Sequence, residues 1–287
     1  MAQIEKDSVS GTDTTGHEWD GLRELNTPLP PWWLYTFYAC IAFAAVWVVL
    51  YPALPISGAT GLLGWTARGA FPAQQAADAA QREPMLARLR STSPAAIAAD
   101  PQLRSYAIAG GRIAFANHCA ACHGAGGQGA QGGYPSLADD DWLWGGDLAA
   151  IHTTITHGIR NQDSDEARLS MMPVFGNGIL TPAQISDVTE YVLALSERST
   201  NPEATTRGAT LFTENCTACH GDAGRGNPEF GAPNLTDRIW LHGAERSQIQ
   251  ASITRPRMGV MPAFNQRLDP AVVNMLAVYV HSLGGGR

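Results

Sequence analysis

The residues able to do chemistry in this chain fall into two short strings, Cys119-Ala-Ala-Cys122-His123 and Cys216-Thr-Ala-Cys219-His220. Cys-x-x-Cys-His is the attachment signature of c-type haem. Two thiols on one helical turn reach the two vinyl groups along one edge of a porphyrin. The next residue then lies beneath the ring and offers an imidazole to the iron. A redox Cys-x-x-Cys needs no histidine at that place and belongs in a βαβ pattern, which the sequence lacks. A shared zinc site would use the four thiols and leave both adjacent histidines unexplained. Two covalently bound haem c groups are therefore expected, on Cys119 and Cys122 and on Cys216 and Cys219, with His123 and His220 as iron ligands.

The surroundings of the two strings repeat as well, which identifies the elements that must position them. Gly111, Phe115 and Cys119 recur as Gly208, Phe212 and Cys216; Trp142-Leu143 as Trp240-Leu241; Ile155 as Ile253; Met172-Pro-Val-Phe175 as Met261-Pro-Ala-Phe264; and Tyr191-Val192 as Tyr279-Val280. The first copy is about nine residues longer, around Asn161–Arg168. The copies span 103–198 and 203–287, and both read as helices and loops without alternating strands, so the fold class is all-α. In each, a helix carrying Gly and Phe four apart precedes the cysteines. A last helix begins at a cap, Thr181-Pro182-Ala183-Gln184 in one copy and Asp269-Pro270 in the other. It continues with apolar residues at helical spacing: Ile185, Val188, Val192 and Leu195, then Val272, Met275, Leu276 and Tyr279. Glycine on the first helix lets an aromatic such as Tyr191 or Tyr279 cross it closely.

Each copy resembles a small class I cytochrome c domain. The likeness rests on the Gly-x-x-x-Phe helix, Cys-x-x-Cys-His-Gly, a proline about a dozen residues on, and Met-Pro before the final helix. It implies that the carbonyls of Pro135 and Pro233 accept a hydrogen bond from the proximal imidazoles, orienting the rings and raising their basicity. For the sixth ligand, Met172 and Met261 each precede Pro-x-Phe and match across the repeat, whereas Met171 and Met258 are expected to pack in loops. The simplest topology puts Met172 on the iron of His123 and Met261 on that of His220; a crossed arrangement, each methionine on the other copy's iron, is the alternative, and spacing does not separate the two. Bis-histidine ligation is the competing reading, with His118, His152, His157, His242 and His281 at hand. None of these has a histidine counterpart in the other copy. Met/His ligation raises a haem's potential and suits a donor to a strong oxidant.

Composition narrows the setting. With 45% hydrophobic and 16% charged residues in 287, the chain is globular rather than disordered. A net charge of −7 without a Lys/Arg block leaves no electrostatic footprint for nucleic acid. Five cysteines are too few for a disulfide-stapled scaffold. Residues 32–54 hold a run from Trp32 to Tyr51 without a charge, long enough to cross a bilayer, with Trp32, Trp33, Tyr35, Trp47 and Tyr51 placed like interfacial belts. A cleaved signal peptide does not fit, because the preceding 1–31 is long and acidic. Basic flanks are too sparse to orient the helix, but c-type haems are attached outside the bacterial cytoplasm. The expectation is a single-pass inner-membrane protein with 1–31 cytoplasmic and the haem domains periplasmic. Cys40 reads as a small apolar residue in mid-membrane, and 55–102 as a partly helical linker.

The flank before the anchor is the most specific feature. Asp20, Gly21, Leu25, Asn26, Pro28, Leu29, Pro30, Trp32 and Trp33 resemble the N-terminal signature of the di-haem subunit III of cbb3-type cytochrome c oxidase. That resemblance implies a non-catalytic electron-transfer subunit of a proton-translocating oxidase. Electrons would come from a periplasmic cytochrome c or the bc1 complex, and pass to a mono-haem cytochrome c subunit and the catalytic haem–copper subunit, which reduces oxygen to water. An anchored di-haem shuttle similar to cytochrome c4, without an oxidase partner, is the alternative. A di-haem peroxidase needs an open sixth site, against which the matched methionines argue, and a haem sensor needs an output domain. Asp139, Asp140 and Asp141, with Asp163, Asp165 and Glu166 in the longer segment, are acids that would steer a basic donor.

Overall fold

The computed structural model describes residues 4–51, 61–130 and 132–284. The chain divides into two units, one ending at Gln81 and one beginning at Arg82. In the first, β1 (Thr14–Trp19) and β2 (Leu22–Leu25) form an antiparallel hairpin with Trp19 opposite Leu22 and Glu18 opposite Arg23. Its turn is Asp20-Gly21, with φ of 50° and 85°, the primed geometry that Asp-Gly favours because its twist matches that of the strands. Arg23 closes the ribbon by pairing with Glu18 at 3.1 Å and with Glu5. This small sheet is the one departure, among the described residues, from the expected all-α architecture.

Helix α1 (Pro31–Leu50) opens with proline at its first position, where the missing N–H costs nothing. Its 20 residues have a mean hydropathy of 1.9 over the most apolar window, and none is buried. Apolar on every face and about 30 Å long, it fits a single membrane crossing. It begins one residue before the expected span and ends at Leu50; residues 52–54 lie outside those described.

The second unit is built from the end of α2 (Ala67–Ser91), then α3 (Pro94–Ala99), α4 (Pro101–His118), α5 (Ala120–His123), α6 (Leu148–His157), α7 (Pro182–Ala194), α8 (Pro202–Asn215), α9 (Thr217–His220), α10 (Arg246–Thr254) and α11 (Pro270–His281). The caps read in the sequence form. The Thr181 hydroxyl accepts from Gln184 N–H at 3.3 Å while the Gln184 side chain accepts from Thr181 N–H at 2.9 Å, and Asp269 accepts from Ala271 N–H at 2.8 Å.

The helices pair across the copies. α11, the last helix of the second copy, crosses α4, the first helix of the first copy; α7 crosses α8. A Cβ at Gly111 would collide with the Met275 carbonyl and Tyr279 Cβ, and one at Gly208 with the Asp187 carbonyl and Tyr191 Cβ. These contacts let Phe115 meet Tyr279 at 5.4 Å between ring centroids and Phe212 meet Tyr191 at 4.9 Å. One core thus joins Phe115, Ile151 and Ile155 to Phe264, Leu276 and Tyr279, and the other joins Phe212, Ile249 and Ile253 to Phe175, Val188 and Val192. The exchange is reciprocal down to the backbone: Asn265 N–H donates to the Thr156 carbonyl at 3.1 Å, and Gly176 N–H to that of Thr254 at 3.0 Å.

The Ala-rich stretch read as linker contributes Leu89 and Ile97, both fully buried with Leu103, Ala107 and Met275. They cover Val278 on the outer side of α11. At the corresponding position of α7 stands Glu190, buried, accepting from the Ser199 hydroxyl at 2.6 Å and paired with Arg246, so the segment joining the copies is pinned to α7.

If each core needs both copies, an isolated 203–287 segment has α8 without its partner and α11 with its apolar face uncovered. It should show no cooperative thermal transition by circular dichroism; a sharp two-state melt would contradict the exchanged packing.

Candidate functional site

The cysteine strings sit where the first helix of each copy ends. Cys119 N–H donates to Phe115 O at 2.8 Å and His123 N–H to Cys119 O at 2.9 Å; the second copy repeats this with Cys216 to Phe212 at 2.8 Å and His220 to Cys216 at 2.9 Å. Each string is therefore a short turn of helix hung on a fully buried phenylalanine. None of the four sulfurs is in a disulfide. Before any haem is attached, burial, with a smaller push from the neighbouring thiol, raises the Cys119 and Cys216 thiols to about 11.

Beyond each histidine the chain returns in a glycine-rich loop. Gly129 N–H donates to the His123 carbonyl at 2.7 Å and Gly226 N–H to that of His220 at 2.9 Å. Both glycines have left-handed φ (69° and 82°), and a Cβ at either would strike the backbone of the following proline segment. This close return brings the prolyl carbonyls onto the rings: His123 Nδ1 donates to Pro135 O at 3.0 Å and His220 Nδ1 to Pro233 O at 3.1 Å. A carbonyl only accepts, so Nδ1 carries the proton and Nε2 keeps its lone pair for a metal. Burial pulls both imidazoles below their ordinary basicity, against a smaller upward pull from the carbonyl. The neutral ring is the form that ligates iron.

Met261 packs in the core that contains Cys119, and Met172 in the core that contains Cys216. Each methionine is thus gathered with the cysteine string of the other copy. Met171 and Met258 are exposed. Among the histidines weighed as ligands, His118 is exposed at the end of α4. His157 is engaged by Ser164 at 3.1 Å and Glu166 at 3.2 Å. The longer segment of the first copy therefore folds back on α6.

Three residues bear on the fit of a haem, of which only His242 was weighed from the sequence, as an axial ligand. Trp142 Nε1, Arg168 Nε and His242 Nδ1 are buried without a protein partner. Trp142 packs on the core holding Cys119 and Met261. An orphaned buried donor costs about 1–3 kcal/mol, and the carboxylates of a haem would satisfy it. The donor set, the neutral imidazoles and the unpartnered N–H groups together fit haem c. The repeat Trp142/Trp240 was a visible signal, but the second tryptophan donates to the Asp237 carbonyl at 3.1 Å, so only the structure separates their roles.

Three family profiles match in succession. They are described as the N-terminal domain of cytochrome oxidase-cbb3, FixP, over residues 11–58; cytochrome c, over 107–196; and cytochrome c oxidase, cbb3-type, subunit III, over 203–280. The chain is similar to the cbb3-type cytochrome c oxidase subunit CcoP of Azospirillum brasilense, 50% identical with all of both chains covered. It is also similar to CcoP of Cereibacter sphaeroides, 50% identical over 95% of each chain. The subunit FixP of Azorhizobium caulinodans is 49% identical, over 98% of this chain and 96% of that one.

Of the acids read as a steering cluster, Asp140, Asp163, Asp165 and Glu166 are exposed, whereas Asp141 is half-buried. Burial first, then Asp237 and Asp139, push the Asp141 carboxyl up to about 6. An acid whose folded pKa lies above its ordinary value favours the folded state only while protonated, so it costs stability as pH rises through 6. Asp141→Asn should therefore raise Tm at pH 7.5 and lose that advantage by pH 4. Solvent screening on the open side limits the gain to about 1 kcal/mol, or about 2–4 °C. Thermal melts at the two pH values check this; an equal shift at both would refute it.

Proposed function

The chain belongs to the family of subunit III of the cbb3-type cytochrome c oxidase, and from that premise we propose that it is the membrane-anchored di-haem electron-transfer subunit of such an oxidase. Cytochrome c domains imply covalently bound haem c. We assign two groups, one on Cys119, Cys122 and His123 and one on Cys216, Cys219 and His220. The observation that carries the axial assignment is the exchanged packing: Met261 shares a core with Cys119, and Met172 with Cys216. We therefore assign Met261 to the iron on His123 and Met172 to the iron on His220. Pairing each methionine with its own copy's histidine would require it to leave the core in which it packs.

When bound, haem supplies one-electron iron chemistry at a potential that His/Met ligation raises. The chain's own residues do the rest. The carbonyls of Pro135 and Pro233 hold each imidazole in one tautomer and orientation, and the buried Phe175 and Phe264 anchor the methionine segments. In this reading 32–54 anchors the chain, 1–31 is cytoplasmic, 55–102 leads to the haem-bearing copies 103–198 and 203–287, and those lie in the bacterial periplasm. The chain accepts electrons from a periplasmic cytochrome c or the bc1 complex and delivers them to the mono-haem subunit and the catalytic haem–copper subunit. Oxygen reduction and proton translocation belong to that complex; no residue here is assigned to oxygen.

Two haems resistant to acid–acetone extraction should be found per chain by pyridine haemochrome analysis. Replacing either cysteine pair with alanine should remove one of them. A single haem per wild-type chain would overturn the reading.

A further inference from the structure

The two methionine-bearing segments meet at one side chain. Arg160 Nε donates to the Gly259 carbonyl at 2.8 Å, and Arg160 Nη1 donates to the Ser170 carbonyl at 3.0 Å. Ser170 stands two residues before Met172 and Gly259 two before Met261, so these carbonyls are equivalent positions of the two copies. The guanidinium bridges like to like. The repeat puts Met258 where a second such arginine would stand, and Met258 is exposed. One arginine therefore serves both segments.

The backbone around it is built for the task. Arg160 has φ of 49°, in the left-handed region that residues other than Gly, Asn and Asp rarely adopt. It is held there by a bond from its N–H to the Arg168 carbonyl at 2.9 Å. On one side, Ile159 and Met261 exchange both backbone hydrogen bonds at 3.0 Å. On the other, Asn161 Nδ2 donates to the Met261 carbonyl at 2.9 Å. The guanidinium itself is half-buried, and no carboxylate pairs with it among the described residues. A planar fork that donates in fixed directions suits two carbonyls at once, and a lysine ammonium does not reproduce it. An unpaired, partly desolvated cation is otherwise a cost to the fold.

We infer that Arg160 is the shared positioning residue for both axial methionines, its guanidinium fixing the segments that carry Met172 and Met261 so that one side chain sets both thioether–iron contacts. The inference rests on Met172 and Met261 being the axial ligands, and its test separates the two claims. In the haem-loaded full chain, Met172→Ala and Met261→Ala should each remove one of two thioether-to-ferric-iron charge-transfer bands; if neither does, the ligand reading fails whatever Arg160 does. With those controls in hand, Arg160→Gln is placed in each single-methionine background. The remaining band should weaken in both, and the fraction of the still methionine-ligated haem that binds carbon monoxide on reduction, counted above the one haem the alanine already opens, should rise about ten-fold, the scale on which supporting contacts tune metal ligation. Arg160→Lys keeps the charge without the fork and should leave both bands weakened; it takes the place of the glutamine variant if that chain does not load haem. A remaining band at full strength in either background overturns the inference.

Discussion

The close crossing of a first helix from one copy with a last helix from the other governs the rest of the structure. Gly111 under Tyr279 and Gly208 under Tyr191 remove the side chain that would hold the helices apart. Phe115 and Phe212 then fill the space with almost no exposure, and truncating a phenylalanine so placed costs about 3–5 kcal/mol. Because each cysteine string hangs from one of these phenylalanines, the crossing that builds the core also sets the haem-binding turn. Because each last helix is preceded by its Met-Pro segment, the same crossing delivers a methionine to that turn. The placement of each cysteine string, its histidine and the methionine segment proposed to face it thus follows from one steric relation, used twice.

The two cores are alike at their centres and different at their edges. α11 has its outer side closed by Leu89 and Ile97 from α2 and α3. α7 instead presents Glu190 to Ser199 and Arg246, which fastens the segment joining the copies. The nine-residue excess of the first copy supplies a further asymmetry. It engages His157, carries Arg168 over the Trp144 ring at 5.4 Å, and follows directly on Arg160. A duplicated domain has in this way acquired one joint where two identical halves would have none. The two cysteine strings, held by interleaved segments, are mechanically dependent on each other, which suits the electron-transfer role proposed for the chain.

Much of this was legible in the residues. The Cys-x-x-Cys-His strings, the Thr181 and Asp269 caps and the apolar run from Trp32 to Tyr51 each act through local geometry, which spacing encodes, whereas the role of Pro135 and Pro233 came from the family resemblance. Which last helix meets which first helix was not legible, and the reason is physical. Gly111 and Gly208 present the same notch, Tyr191 and Tyr279 the same ring, so own-copy and exchanged packing satisfy an identical pattern. The hairpin at Asp20-Gly21 was not legible because its strands are short and mostly exposed, so no apolar alternation marks them. Leu89 and Ile97 were masked by the alanines around them, whose composition reads as linker. Arg160 had no pattern to betray it, since its partners are backbone carbonyls that any sequence provides.

Neither copy makes a core by itself. A specific protease site inserted between Glu197 and Arg198, at an exposed turn where the chain passes from one copy to the next, tests it directly. After cleavage of the detergent-solubilised, haem-loaded protein, an affinity tag on the N-terminal piece should retain the C-terminal piece without denaturant, with the absorption spectrum of both haems unchanged. Elution of the C-terminal piece as a separate, intact cytochrome would contradict it.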